Sequence, residues 1–199
     1  MVLVKQIEVT TKVKQNINEI NSLLLSKGFI LIRRSRVEDR YMTQELDKLN
    51  RENVLDILQS CVLIRYLSVD NDYVWKGLTY KNKTYKDNIV ISEEKISISI
   101  DDIELAEKLF KALKFQKLID VKYDVIVYKK DDLELAFQEV EGLGLLLEYE
   151  NLNDFDGCSN EEVIKIKKEM LEEIKGYGII TTDDFDIKKS YQLVIERLK

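Results

Sequence analysis

The chain has 199 residues, 34% of them charged and 45% hydrophobic, which suits one domain with a sizeable core. A net charge of −6 excludes a general nucleic-acid binder, and the complete absence of histidine excludes His-based triads, imidazole metal sites and imidazole acid–base chemistry. Cys61 and Cys158 form neither a disulfide framework nor a zinc pattern, no apolar run reaches membrane-spanning length and no signal peptide opens the chain, so a cytoplasmic protein is expected.

Residues 2–13 alternate. Leu3, Ile7 and Val9 share one face; Gln6, Glu8, Thr10 and Lys12 share the other, which predicts a strand with one apolar and one polar side. Asn16 with Glu19 three residues on is a capping box. Ile17, Ile20 and Leu24 then recur at helical spacing until Gly28. A second strand is predicted over 29–32 and a third around Asp39 and Tyr41, with Arg33, Arg34 and Arg36 between them as a solvated charge run. Residues 44–60 suggest a loop with a short helix. The stretch 61–67 is apolar except for Arg65, which predicts a buried strand with one charge. Residues 74–81 predict another strand, in which Trp75 and Tyr80 are expected to pack in the core, and 82–88 a turn. Proline is absent, so turns must rely on Gly, Asn and Asp.

Residues 89–100 alternate again, with Ile96, Ile98 and Ile100 on one face and Glu93, Lys95, Ser97 and Ser99 on the other. Asp101 and Glu104 predict a second capping box, followed by a helical stripe of Ile103, Ala106, Leu109, Phe110 and Leu113. Strands are predicted over 117–123, 124–131 and 133–140. Gly142 and Gly144 then open a strand ending at Glu148 and Glu150. Two residues apart on a strand, these acids face the same side and repel unless a cation lies between them. A divalent cation with oxygen ligands is one solution. After a loop at 151–157, Ser159 and Glu162 cap a helix with the stripe Val163, Ile166, Met170 and Ile174. A last helix runs from about 187, with Tyr191, Val194, Ile195 and Leu198 on one side. The C-terminal helices could close a barrel mouth or form a dimer contact.

Several strands are apolar on one face and carry charges on the other. A closed barrel would gather the charged faces into a lumen, although the pattern alone also permits an open sheet.

The motifs, in order, are Glu8-Val9-Thr10-Thr11-Lys12, Asp39-Arg40-Tyr41, Leu63-Ile64-Arg65, Thr79-Tyr80-Lys81, the Gly142-to-Glu150 block and Ser190-Tyr191. This set resembles the CYTH superfamily of class IV adenylate cyclases, thiamine triphosphatases and inorganic triphosphatases, also called triphosphate tunnel metalloenzymes. The resemblance implies an α+β fold, a closed eight-stranded antiparallel β-barrel with helices packed outside. It implies a single domain over 1–199, with the barrel in about 1–150 and a C-terminal helical segment in about 158–199. It further implies a triphosphate-containing small molecule (ATP, thiamine triphosphate or tripolyphosphate) as ligand, and Mg²⁺ or Mn²⁺ as cofactor. Carried over residue by residue, Glu8, Glu148 and Glu150 would hold the metal, and Lys12, Arg65, Lys81 and Lys122 the phosphates. Neither nucleic acid nor membrane is an expected partner; a homodimer is compatible.

The chain departs from the family pattern at several points. Thr10 replaces the second glutamate of E-x-E-x-K and Leu63 the first arginine of R-x-R. Asp124 stands where an arginine is expected, where it would oppose phosphate in the tunnel, and Gln138 where an aspartate is expected. Fewer carboxylates weaken metal binding, and arginine-to-leucine removes a bidentate phosphate donor. Three functions follow: a metal-dependent enzyme of the adenylate cyclase or phosphohydrolase type, a nucleotide or polyphosphate sensor or sequestering barrel without catalysis, and a structural interaction module. Lys12 and Arg65 fit a second role equally well, as ion-pair partners that hold the barrel together.

Overall fold

The computed structural model describes residues 7–70, 72–151, 155 and 157–199; Leu3 and Gln6 lie outside them, as do residues 152–154 and 156 of the expected loop. The elements are β1 (Ile7–Lys12), α1 (Ile17–Ser26), β2 (Ile30–Thr43), a 3-10 turn (Leu46–Lys48), α2 (Val54–Gln59), β3 (Val62–Val69), β4 (Tyr73–Lys86) and β5 (Ile89–Ser99). They continue with α3 (Ile103–Ala112), β6 (Gln116–Lys130), β7 (Leu133–Val140), β8 (Gly144–Asn151), α4 (Asn160–Gly176) and α5 (Lys189–Arg197). Eight antiparallel strands run in the order β1-β8-β7-β6-β2-β3-β4-β5 and curl into a nearly closed barrel.

The terminal strands β1 and β5 are joined by a piece of chain that sequence periodicity does not reveal. Residues 185–187 run alongside β1: Thr10 N donates to Phe185 O at 3.0 Å and Ile187 N to Thr10 O at 2.9 Å. From the other side, Val90 N of β5 donates to the Asp186 carboxylate at 2.9 Å. Lys167 of α4, only 2% exposed, pairs with the same carboxylate at 2.9 Å.

The alternation of β1 works as expected. Ile7 and Val9 turn outward into a core with Ile20 and Leu24 of α1 and Val163, Met170 and Ile174 of α4. Both capping boxes that open these helices, Asn16 with Glu19 and Ser159 with Glu162, are formed. A second cluster joins Val121, Tyr123 and Val125 of β6 to Val54 and Ile57 of α2 and Val194 of α5.

Elsewhere the strands are longer than the sequence pattern suggests. The pieces at 29–32 and 39–41 are one strand, β2, which runs through the arginines with a register shift between Leu31 and Arg33. The pieces 117–123 and 124–131 are likewise the single strand β6. The turn expected over 82–88 shrinks to Asp87 and Asn88, whose φ values of 51° and 64° make the tight reversal that suits a hairpin. The second capping box does not form: the N-cap of α3 is Asp102, which accepts from Leu105 N. Nor is its apolar stripe wholly inside, since Ala106 and Phe110 are buried while Leu109 and Leu113 are exposed. Ile96 and Ile98 are also exposed, on the outer side of β5. Trp75 lies across Gly77, where an added Cβ would sit 2.2 Å from the indole, and donates to Ser99 Oγ at 3.0 Å. Cys61 is a buried core residue whose thiol burial pushes up to about 12. Among the described residues no helix is long and apolar enough to cross a membrane.

Candidate functional site

The inward faces of the strands enclose a cavity of about 300 Å³, lined by charges of both signs. On the β2–β3 wall, Arg65 and Asp39 face each other across the ladder and form a bidentate pair, with Nε to Oδ1 at 2.5 Å and a second nitrogen to Oδ2 at 2.6 Å. Burial works against the guanidinium charge, but Asp39 more than offsets it and the pKa of Arg65 is raised.

The β4–β5 wall carries most of the cations. Lys81 Nζ lies 3.0 Å from one Glu93 oxygen and Lys83 Nζ 2.8 Å from the other. Burial opposes the charge on Glu93, yet Lys81 and Lys83 prevail and hold its pKa down to about 2. Lys95 stands opposite Lys81 in register and has no carboxylate within ion-pair distance among the described residues. Its side chain is exposed to the cavity, where partial desolvation, followed by repulsion from Lys81 and Arg65, lowers its pKa.

Acids dominate the β1–β8 wall. Glu8 stands opposite Glu150, and Thr10 opposite Glu148. Thr10 Oγ1 donates to Glu8 at 2.8 Å. Both side chains are exposed to the cavity; partial desolvation there and then the Glu148 charge raise the pKa of Glu8, and the same desolvation with the Glu8 and Glu148 charges raises that of Glu150. Neither has a cation within ion-pair distance among the described residues. Glu148 does: Lys189 Nζ lies 3.3 Å away, and Gln138 Nε2 donates to the same oxygen at 2.8 Å. Burial opposes ionisation of Glu148, but Lys189 and Gln138 keep its pKa below the ordinary value.

Helices supply the rest of the lining. Leu55 and Leu58 come from α2, and Lys188, Lys189 and Ser190 from the start of α5. Lys188 pairs with Asp186 at 2.7 Å, so the seam between β1 and β5 is also a wall of the cavity. Burial raises the pKa values of Tyr41 and Tyr123, which therefore stay neutral phenols on the lining.

Of the residues singled out in the sequence, Glu8, Glu148, Glu150, Arg65 and Lys81 line this cavity. Lys12 does not; it is exposed at the end of β1. Lys122 does not either. It lies on the other face of β6 and pairs with Glu38 at 3.2 Å. Asp124 shares that face and contacts Arg36 at 3.2 Å, so it does not oppose a ligand in the tunnel. The inward positions of β6 are Val121 and Tyr123, one residue out of step with the motif, and a shift of one residue reverses every side chain of a strand.

Lys83, Asp186, Lys188 and Lys189 are lining residues that the motifs do not mark, whereas Glu93 and Lys95 lie on the polar face of β5 that alternation turns inward. Because β4 continues to Lys86, alternation from Lys81 turns Lys83 to the same inward face. Nothing local marks Asp186, because its role depends on where the chain returns after α4.

A divalent ion would find suitable oxygen donors in Glu8 and Glu150, carboxylates of the lining that form no ion pair among the described residues. Among the described residues no three acidic side chains converge on one point. An ion of the Mg²⁺ type needs no such cage, since one or two carboxylates, water and ligand oxygens complete its shell.

No family model matches the chain. Over 187 residues it is 32% identical to a protein of Methanocaldococcus jannaschii provisionally named an adenylate cyclase, with 93% of this chain and 96% of the relative covered. A solved structure from Pyrococcus horikoshii superposes with a TM-score of 0.71 at 18% identity, covering 96% of this chain and 99% of the other. A provisionally named adenylate cyclase from Vibrio parahaemolyticus superposes with a TM-score of 0.63 at 9% identity, covering 98% and 99%. At these identities the two structures share the fold.

Proposed function

The chain belongs to the CYTH superfamily of adenylate cyclase-like barrel proteins, and on that footing we propose that its tunnel binds the triphosphate of a small molecule together with Mg²⁺ or Mn²⁺ and acts on it. One observation carries the reading: one cavity holds a cation and carboxylates that form no ion pair among the described residues. Lys95 lacks an anion, while Glu8 and Glu150 lack a cation. A polyphosphate with a divalent ion supplies both.

The ion, when bound, would polarise a phosphoryl group and offset charge on its oxygens. The chain's own residues do the rest. Lys81, Lys83 and Lys95 place three ammonium groups along one wall, fixed in part by Glu93 before any ligand arrives, so little reorganisation is needed on binding. Arg65 adds a guanidinium held in place by Asp39. Attack on a triphosphate by water gives hydrolysis; attack by a ribose hydroxyl gives a cyclic nucleotide and pyrophosphate.

The test is incubation with ATP, thiamine triphosphate or tripolyphosphate plus Mg²⁺ or Mn²⁺, following phosphate, pyrophosphate and cyclic nucleotide. Product is expected from at least one substrate, with near-complete loss in Lys81→Ala and Glu150→Ala variants of unchanged fold. No product from any of them overturns the enzymatic reading. A second reading, binding without turnover, is favoured by Leu63, Val121 and Tyr123, which give β3 and β6 inward positions with no phosphate cation. Ligand-induced thermal stabilisation without product would select it.

A further inference from the structure

We propose that Lys189 is a built-in counter-ion of the acidic wall: a divalent cation that takes Glu148 displaces it, and the released ammonium then joins the polyphosphate grip. This rests on the polyphosphate-and-cation reading above. Lys189 is the first residue of α5, and its Nζ reaches across to β8 and β7, 3.3 Å from Glu148 Oε2 and 2.5 Å from Gln138 Oε1. The same nitrogen lies 4.5 Å from the centroid of the Tyr123 ring, whose face favours a cation. Gln138 completes the clamp by donating to Glu148 Oε2 at 2.8 Å. One carboxylate oxygen is therefore held by two donors of the chain, and the side chains involved are mostly covered, Lys189 at 20% exposure and Glu148 at 29%.

Glu148 is the third carboxylate that a cation on the acidic wall would meet. It stands opposite Thr10 in the ladder and next to the Glu8–Glu150 pair, the two acids with no ion pair among the described residues. An incoming divalent ion competes there with a single positive charge on a four-carbon stem. Once Glu148 is taken, a mostly covered ammonium is left without its carboxylate, which is unfavourable unless it finds another anion. The bound phosphate is that anion, and the stem has the rotatable bonds to reach it. Cation and anion binding are thereby coupled through one side chain, and such coupling is reciprocal. Lys95 differs: it has no carboxylate to give up, so it is available whether or not a cation is present.

Calorimetric titration of the full chain with Mn²⁺ alone, and with tripolyphosphate in the absence and presence of saturating Mn²⁺, tests this. In Lys189→Met the affinity for Mn²⁺ alone is expected to rise about 5-fold or more, while the enhancement of tripolyphosphate binding by Mn²⁺ falls by a similar factor. Lys189→Arg restores the wild-type pattern. Lys95→Met, which removes one positive charge from the same cavity, leaves the affinity for Mn²⁺ alone much less changed; an equal rise there means bulk charge rather than displacement and overturns the proposal. If Lys189→Met fails to fold, Gln138→Ala, which loosens the clamp and keeps the charge, carries the same expectation for Mn²⁺ with a smaller rise. Wild-type protein that binds tripolyphosphate with Mn²⁺, with Lys189→Met indistinguishable from it, overturns the role of Lys189 and leaves the polyphosphate reading standing. Absence of binding by every protein removes both.

Discussion

At the scale of single residues, the pairs that line the cavity set measurable stabilities. Asp39 is 3% exposed and satisfies both nitrogens that Arg65 presents. Asp39→Ala leaves that guanidinium without a partner, which should cost about 3 kcal/mol in urea denaturation, whereas a double replacement by apolar residues should cost much less. Glu93 gives a pH dependence. Its pKa is lowered from 4.5 to about 2, so its contribution is present above 4.5 and is lost as pH falls through about 2. Glu93→Gln should therefore be less stable than wild type at pH 7, by roughly 2 kcal/mol after allowance for its partial exposure, with the gap closing between pH 4.5 and 2. Glu8 behaves oppositely. Its pKa is raised, so its stabilising share is complete below 4.5 and disappears as pH rises through the raised value. Glu8→Gln should raise the melting temperature at neutral pH and leave it unchanged in acid. Glu8, Arg65, Lys81, Glu148 and Glu150 were all legible as inward residues from strand alternation and motif order. The partners that decide what each can do were not, because Asp39, Glu93 and Lys189 reach them across the sheet or from a distant helix.

At the scale of elements, the weak point of the barrel is the seam between β1 and β5. Among the described residues no ladder joins these strands; residues 185–187 and the Asp186 carboxylate do. Asp186→Ala strips the partner from buried Lys167 and the acceptor from Val90 N, and should cost about 3 kcal/mol. Hydrogen exchange distinguishes this from general destabilisation: the Val90 and Thr10 amides should lose protection before those in the β2–β6 ladder. The capping boxes of α1 and α4 were readable because both partners lie within four residues. The length of β2 and β6 was not, because charged residues at 33–36 and 120–124 interrupt the apolar pattern while backbone pairing with neighbouring strands continues through them.

At the scale of the whole molecule, the tunnel draws its lining from almost every strand and from α2 and α5. A ligand that spans those walls binds the folded chain and not the unfolded one. Tripolyphosphate at about 100 times its dissociation constant, with Mn²⁺ present, should add about 2.7 kcal/mol to the unfolding free energy. Differential scanning calorimetry reads this as a rise in melting temperature; an unchanged transition counts against the site. The sequence by itself determined the class of the fold, the outward and inward faces of β1, β5 and β8, and the order of motifs along the chain. The faces follow from side-chain alternation, which is a local property, whereas the fold class rests on the resemblance carried by the ordered motifs, since alternation alone also permits an open sheet. Only the tertiary structure decided that Lys122 and Asp124 lie outside while Val121 and Tyr123 lie inside, since the register of β6 is set by its neighbours. It alone placed Asp186 in the seam and Lys189 on Glu148. Those contacts join residues far apart in sequence, and charge neutralisation inside a closed barrel depends on which groups meet there.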